Sequence, residues 1–455
     1  MKYSAVILAA GKGVRMVSKL PKVLHPVAGK PMVAHVINQV KAAGIENIIL
    51  VVGSGRQEVE EAMSGEQVHF VVQEQQLGTG HALMQARTAA KHSEQVLVLA
   101  GDTPLLKPEM LKKLIQFHEQ QKAVATVLSC EAEDPFGYGR IIRNQEGFLE
   151  CIVEEKDADV SQKAIKEINS GIYCFNTGII FDKLANLNNN NSQGEYYLTE
   201  VIEILKKENK QVAVYLSPDS ESIHGINDRQ QLAYAESILR QRINIQLMKE
   251  GVSIVDPLTT FIDSEVKIGN DTVILPFTMI EGKTVIGTNC RIGPSSRISS
   301  SLIGNNVNIE SSRILEAKIG DDCNIGPYAY LRPGAVLHSG VKIGDFVEIK
   351  KSVIGENSKI PHLSYVGDAQ VGKGVNIGAG TITCNYDGFN KYNTVLEDGV
   401  FIGSNSNLVA PVKIGKNSYT GAGSTITRDV EEDSLAVERA AQKNIIGWAK
   451  RIKKQ

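Results

Sequence analysis

The sequence predicts an open α/β domain followed by a parallel β-helix, and three features carry that prediction. Over roughly the first 230 residues, short β-branched runs alternate with helix-like segments, as they do in βαβ units stacked on a mostly parallel sheet. Beyond Gly251 an aliphatic residue followed by glycine recurs on a period close to six. Glycine accounts for 41 of 455 residues while aromatics make up only 5%, so the backbone turns tight corners often. A chain of this length holds two or three cores, since domains cluster near ~100 to 150 residues.

In the first domain the clearest strands are 3–8, 48–52, 69–72 and 96–99. Amphipathic stretches 32–43 and 81–91 lie between them, each long enough to cross back over a sheet. Residues 229–250 contain no Pro or Gly, are rich in Ala, Leu, Gln and Arg, and end at Gly251, which predicts a connecting helix. The expected domains are therefore 1–228, a linker helix 229–250, and 251–455.

The aliphatic–glycine pairs begin at Ile268, Ile286, Ile292, Ile303, Ile319, Ile325, Ile343, Ile354, Val366, Val371, Ile377, Ile402 and Ile414. Their spacings are mostly multiples of six or one short of a multiple, and thirteen pairs within 147 residues exclude a chance run. Six residues make a short strand plus a corner. Three such units close a triangular coil whose Ile and Val side chains fill a narrow core, with small residues at the corners. The 25-residue step from Ile377 to Ile402 breaks the period and contains Asn385, Tyr386, Asp387, Gly388, Phe389, Asn390 and Lys391. That polar segment with its Asp-Gly turn is expected to protrude as a loop, either on a binding face or as a tolerated insertion. The tail from Glu438 onward regains helical composition and carries Lys450, Arg451, Lys453 and Lys454, cations that suit a helix C-terminus.

A balance of 49 Lys+Arg against 51 Asp+Glu gives a formal charge of -2 and leaves no electrostatic footprint for nucleic acid. No apolar run approaches the ~18 residues of a membrane helix. The stretch 5–10 runs into glycines and Lys12 instead of a cleavage site, so it does not read as a signal peptide and a cytoplasmic protein is expected. Cys130, Cys151, Cys174, Cys290, Cys323 and Cys384 form no Cys-x-x-Cys pair and read as reduced thiols.

The segment Leu8-Ala9-Ala10-Gly11-Lys12-Gly13-Val14-Arg15-Met16 follows a strand at once, so a phosphate could approach its backbone N–H groups. By itself this is more often a tight turn than a phosphate cradle, and the third glycine of a dinucleotide fingerprint is missing. Lys22, in Leu20-Pro21-Lys22-Val23-Leu24, supplies a second cation beside Arg15, and together they suit a nucleoside triphosphate. Asp102, in Ala100-Gly101-Asp102-Thr103-Pro104, follows strand 96–99. It reads as a metal-ligand candidate at the carboxyl end of a strand or as a turn or cap aspartate. Within the repeats, Lys350, His362, Tyr365, Asn376 and Asn385-Tyr386 stand out because inward hexapeptide positions are aliphatic. Arg332 lies 18 residues before Lys350, one full coil, so the two cations are expected on adjacent rungs.

The N-terminal motif, the Leu-Pro-Lys-Val-Leu-His segment, Gln73, Leu77-Gly78-Thr79-Gly80-His81, Ala-Gly-Asp and the hexapeptide half together resemble one bacterial family. This is the bifunctional N-acetylglucosamine-1-phosphate uridylyltransferases and glucosamine-1-phosphate acetyltransferases, and the resemblance covers nearly the whole chain. It implies a Rossmann-like nucleotidyltransferase domain followed by a left-handed parallel β-helix. It also implies that acetyl-CoA and glucosamine 1-phosphate yield N-acetylglucosamine 1-phosphate, which UTP converts to UDP-N-acetylglucosamine and pyrophosphate. The uridine and phosphate contacts it implies are Leu8, Ala9, Ala10, Gly11, Lys22, Gln73, Gly78, Thr79, Ala100, Gly101 and Asp102. The sugar contacts are Gly139, Glu154, Asn169 and Asn227. Mg2+ would be held by Asp102 and Asn227, although Asn227 read without the resemblance is an ordinary N-cap for the connecting helix.

The resemblance further assigns His362 as general base, with Arg15 and Lys22 as the groups acting on the triphosphate. Arg332, Lys350, Tyr365 and Asn376 would hold the amino sugar phosphate. Ala379, Asn385, Tyr386, Ser404, Ala422 and Arg439 would hold acetyl-CoA, with a backbone N–H near Ala379 facing the developing oxyanion. Small-molecule substrates and a homotrimer are implied; nucleic-acid and membrane partners are not. The nearest alternative is a sugar-1-phosphate nucleotidyltransferase whose β-helix is only an oligomerisation platform.

Overall fold

The computed structural model describes residues 2–452, so Lys453 and Lys454 of the basic tail lie outside the described residues. The chain divides into two compact units between Leu239 and Arg240, inside the helix Arg229–Lys249. The division falls within the expected linker helix, not at its ends.

The first unit is built on a nine-stranded sheet. Its strands are β1 (Tyr3–Leu8), β2 (Asn47–Val52), β3 (His69–Val72), β4 (Gln95–Ala100), β5 (Ala125–Glu131), β6 (Arg140–Arg143), β7 (Leu149–Val153), β8 (Glu167–Asn176) and β9 (Val212–Ser217). The main order is β9-β5-β8-β4-β1-β2-β3, with β6 bridging β8 and β7. β1 runs parallel to β2 and β4, whereas β8 runs against β4 and β5. Alternate residues of the central strands serve two cores. Ala5, Ile7, Leu97 and Leu99 pack on one face and Val6, Val96 and Val98 on the other. This two-sided burial explains why the strands read as continuous apolar runs. The expected crossing segment 81–91 is not one helix: it forms Thr79–Gln85 and Arg87–Ala90, interrupted at Ala86.

The second unit is a triangular coil whose short parallel strands stack into sheets of 11, 10 and 9 strands, the arrangement of a left-handed β-helix. All thirteen aliphatic residues of the Ile-Gly and Val-Gly pairs are buried in one continuous core. The corners differ from expectation. Phe277, Tyr328, Phe346 and Leu363 occupy corner positions with left-handed φ of 61°, 62°, 56° and 50° and are exposed. At such a corner the left-handed residue points outward, where bulk costs nothing. The buried side chain comes at the next position, where Thr278, Ala329, Val347 and Ser364 follow in turn. The loop between Ile382–Cys384 and Thr394–Leu396 leaves the coil as expected, closed by an antiparallel bridge from Tyr386 to Lys391. Among the described residues of the tail, 438–447 have no regular structure and Trp448–Ile452 is helical. The described residues of the tail include no buried side chain to anchor a longer helix, and isolated helices below ~12 residues are marginal in water.

Candidate functional site

In the first unit, Leu8 and Ala100 are register partners at the carboxyl ends of β1 and β4, so the glycine-rich segment and Asp102 leave the sheet side by side. Gly13 takes a left-handed φ of 58°, and a Cβ there would lie 2.6 Å from Lys22 Cβ. Glycine thus lets the turn close onto the Lys22 segment. Arg229 Nε donates to Met16 O at 3.2 Å, fastening the end of this turn to the start of the long helix.

Lys22 Nζ pairs with Asp102 Oδ2 and donates to Asn227 Oδ1 at 3.1 Å. Both ends of the Lys22–Asp102 pair are mostly buried, with side-chain exposures of 15% and 16%. Asn227 does not cap the helix. Asp228 Oδ1 accepts from Gln231 N at 2.9 Å, which leaves the Asn227 carboxamide free to turn toward Lys22. Neither does Asp102 cap a helix: the following one, Pro108–Gln121, starts from Lys107.

These groups border a cleft of about 730 Å3. It is lined by Leu8, Ala9, Ala10, Gly11, Arg15, Lys22, Gln73, Gly78, Thr79, Ala100, Asp102, Gly139, Glu154, Asn169 and Asn227. Every expected contact of this unit except Gly101 is among them, and Gly101 N donates to Leu8 O at 2.9 Å beside the cleft. Gln73 Nε2 donates to Gly78 O at 3.1 Å, and Thr79 Oγ1 accepts from Leu198 N at 3.1 Å. Deeper in, Asn169 Nδ2 donates to the Tyr173 hydroxyl at 2.7 Å. Burial pushes the Glu154 carboxyl above its ordinary value, opposed by a hydrogen bond from Thr199. Gln76, Tyr138, Tyr173 and Thr199 also line the cleft and were not singled out from sequence. Burial, then the Asp102 charge, pushes the Tyr138 hydroxyl up to about 12.

In the second unit the register aligns residues that are far apart in sequence. Asp345 pairs with His362. Lys359 pairs with Asn376, which sets His362, three residues on, beside Ala379. Asn376 pairs with Phe401 and Phe401 with Tyr419, so the same step of three gives Ser404 and then Ala422. Asp345, His362, Ala379, Ser404 and Ala422 therefore form one column up a single corner of the coil, at the ~4.8 Å rung spacing of a sheet. Hydrogen bonds from Asn405 N to Ala379 O and from Gly423 N to Ser404 O, both 2.8 Å, hold it together. Arg439 folds back onto the column, its Nη1 donating to Ala422 O at 3.0 Å.

Asn376 lies on the strand before this corner and Tyr365 on the strand after it. Arg332 and Lys350 occupy adjacent rungs as expected, with Arg332 N donating to Ile349 O at 2.9 Å. Arg332 is paired with Glu348 at 2.8 Å and Lys350 with Asp368 at 3.0 Å. Asp368 also accepts from Asn385 Nδ2 at the root of the loop. Burial pushes the Asp368 carboxyl up, but the hydrogen bonds from Lys350 and Asn385 outweigh it and hold the group below its usual value. Lys350, through a hydrogen bond and like charge, holds Lys391 of the loop below its usual value. Tyr386 is exposed on that loop. Asp345, Asp368 and Lys391 were not expected in a site, although coil spacing relates Asp345 to His362 and Asp368 to Lys350.

A glycine-rich nucleotide cleft ahead of a hexapeptide coil defines a sugar nucleotidyltransferase joined to an acyltransferase. Residues 5–170 match the family of MobA-like NTP transferase domains. Residues 265–300, 316–351 and 393–428 match the bacterial transferase hexapeptide repeat. The chain is 62% identical over 445 residues to the Bifunctional protein GlmU of Syntrophomonas wolfei, covering 98% of this chain and 99% of that one. It is 56% identical to that of Carboxydothermus hydrogenoformans, over 96% and 98% of the two chains. It is 50% identical to that of Listeria monocytogenes, over 99% of each. The chain belongs to the bifunctional GlmU family and is both a uridylyltransferase and an acetyltransferase.

Proposed function

We propose that each unit carries out one transfer, acetylation by the β-helix supplying the substrate for uridylylation in the N-terminal cleft. In the cleft, a phosphate oxygen of N-acetylglucosamine 1-phosphate attacks the α-phosphorus of UTP. One P–O bond forms, another breaks, and pyrophosphate leaves. The entering phosphate is already an anion, so no side chain need act as nucleophile. The obstacle is repulsion between negative groups, which Arg15, Lys22 and the backbone N–H groups of the glycine-rich turn lower while they hold the reactants in line. Leu8, Ala9, Ala10, Gly11, Gln73, Gly78, Thr79, Ala100 and Gly101 would bound the uridine and phosphates, and Gly139, Glu154, Asn169 and Asn227 the sugar.

Asp102 and Asn227 fit a magnesium ion. Both turn oxygen donors toward one point, now taken by the Lys22 ammonium, and Mg2+ accepts one or two protein oxygens with phosphate and water completing its shell. When bound, Mg2+ supplies charge neutralisation at the phosphate oxygens.

In the β-helix, His362 would accept a proton from the amine of glucosamine 1-phosphate as that nitrogen attacks the thioester carbonyl of acetyl-CoA. The C–N bond forms, the C–S bond breaks, and the imidazolium returns the proton to the departing thiolate. Arg332, Lys350, Tyr365 and Asn376 would hold the amino sugar phosphate. Ala379, Asn385, Tyr386, Ser404, Ala422 and Arg439 would hold acetyl-CoA, with a backbone N–H near Ala379 donating to the oxyanion. Three coils packed by their flat faces would make the enzyme a homotrimer. It would work in the cytoplasm, where both co-substrates are made, in keeping with six free cysteines.

The observation that carries the two-site reading is the corner column, which stacks the imidazole and three of the acetyl-CoA positions on successive rungs. The test assays the half-reactions separately, by thiol release and by pyrophosphate release. Asp102→Asn is expected to lose pyrophosphate release and keep thiol release, and His362→Ala the reverse. Near-normal uridylyl transfer by Asp102→Asn in saturating Mg2+ sinks the metal assignment. Loss of both activities in either variant refutes the separation of sites.

A further inference from the structure

On the same corner column, the residue one rung before His362 is Asp345, and the two are direct register partners. Asp345 Oδ1 lies 2.5 Å from His362 Nδ1. The rungs are pressed together here, because any Cβ on Gly344 would collide with the carbonyl of Pro361. Leu363 N donates to Asp345 O at 2.9 Å, and Ser364 Oγ donates to His362 O at 2.8 Å. Both residues lead into left-handed corners, Phe346 with φ 56° and Leu363 with φ 50°. Backbone geometry on both sides thus fixes where the two side chains start.

We propose that Asp345 is the positioning residue for His362: its carboxylate accepts the Nδ1 proton, so that Nε2 presents its lone pair to the substrate amine. This rests on the reading of His362 as general base. A neutral imidazole carries one N–H, and which nitrogen bears it follows from the partner of the other. A carboxylate can only accept, so it selects the Nδ1–H form. It also stabilises the imidazolium that exists between proton uptake from the amine and proton return to the thiolate. The contact acts in both directions, since the hydrogen bond from His362 is the largest influence holding the Asp345 carboxyl below its ordinary value. His362 is half exposed, with a side-chain exposure of 56%, so no packing would hold the ring in this orientation without Asp345.

The experiment compares Asp345→Ala, Asp345→Asn and His362→Ala in the full-length enzyme. Thiol release is measured while glucosamine 1-phosphate and acetyl-CoA are varied in turn. Asp345→Ala is expected to lower kcat about tenfold, part of the ~100- to 10,000-fold typical of general base catalysis, with both KM values within twofold of wild type. Asp345→Asn, whose amide oxygen still accepts from Nδ1, is expected to recover most of that loss. Pyrophosphate release in the same preparations, which reads the N-terminal unit alone, is expected to stay unchanged, and the unchanged KM values report the intact β-helix. Wild-type kcat in Asp345→Ala beside an inactive His362→Ala overturns the positioning role and leaves the base in place. A His362→Ala enzyme that still acetylates overturns the base reading itself. A raised KM with unchanged kcat in Asp345→Ala identifies a binding residue and refutes the proposal.

Discussion

Asp368 is the point where the rungs and the loop of the acetyl-transfer unit are tied together, and Asp368→Asn tests how much that tie contributes. The carboxylate accepts from Lys350 Nζ at 3.0 Å and from Asn385 Nδ2, and the Lys350 and Asp368 side chains are only 12% and 14% exposed. Asparagine keeps the shape and removes the charge. A hydrogen bond to a charged group contributes about 1.5 to 3 kcal/mol. Because Lys350 retains an amide oxygen as partner and some access to water, a loss of about 2 kcal/mol is expected, which at 1.4 kcal/mol per decade is about 30-fold. The charge that offsets repulsion between Lys350 and Lys391 disappears with it, so the loop carrying Asn385 and Tyr386 loosens together with the lysine. Steady-state thiol release is therefore expected to show kcat/KM falling about 30-fold for both substrates. A fall confined to one substrate, or none, refutes the coupling. The pH dependence has a fixed sign. A carboxyl held below its ordinary value of about 3.9 contributes stability that is fully present above that value and is lost as pH falls through the lower folded value. Wild type is expected to exceed Asp368→Asn in unfolding temperature by a constant margin from pH 6 to 8, with the margin closing below about pH 4.

Glu154→Gln has the opposite sign. Burial raises this carboxyl, so wild-type stability declines as pH rises from about 4.3 to the folded value. Thermal unfolding is expected to show the variant gaining on wild type at pH 8 but not at pH 4, while uridylyl transfer falls through loss of the proposed sugar contact. A variant less stable than wild type at pH 8 contradicts this. Gly13→Ala combines left-handed strain of about 1 kcal/mol with crowding against Lys22 Cβ. It is expected to lower pyrophosphate release tenfold or more by displacing Lys22, with thiol release unchanged; wild-type uridylyl transfer would show that the close approach has no role in placing Lys22.

Both architectures were legible because they rest on periodicity, which survives without tertiary information. The thirteen aliphatic–glycine pairs mark positions that are all buried, and the glycine-free, proline-free run around Ala235 is one helix. The site was legible wherever a residue broke a pattern, as His362 and Lys350 do. Asp345 and Asp368 were missed because a carboxylate on an outward coil position looks like ordinary solubilising charge. The information was nevertheless present: Asp345 precedes His362 by 17 residues and Asp368 follows Lys350 by 18, one coil in each case. Asn227 was ambiguous because two capping residues are adjacent, and only the backbone shows that Asp228 takes the Gln231 N–H. The tail misled because its apolar side chains, Ile445, Ile446, Trp448 and Ile452, are all exposed, so no packing surface sustains a longer helix.

The 25-residue step exposes why this scaffold suits a composite site. An insertion in most sheets risks a register slip, and a slip of one residue would turn every outward group inward. Here the extra residues leave after Cys384 and return at Thr394, and the rungs on either side still pair residue for residue, Asn376 with Phe401 and Ile377 with Ile402. The corner column passes from Ala379 to Ser404 without offset. A loop can thus bring Asn385 and Lys391 toward the Lys350–Asp368 pair while the repeat keeps His362 aligned with the rungs above it. The buried inward residues, almost all aliphatic, set the alignment, and the outward positions are free to carry chemistry.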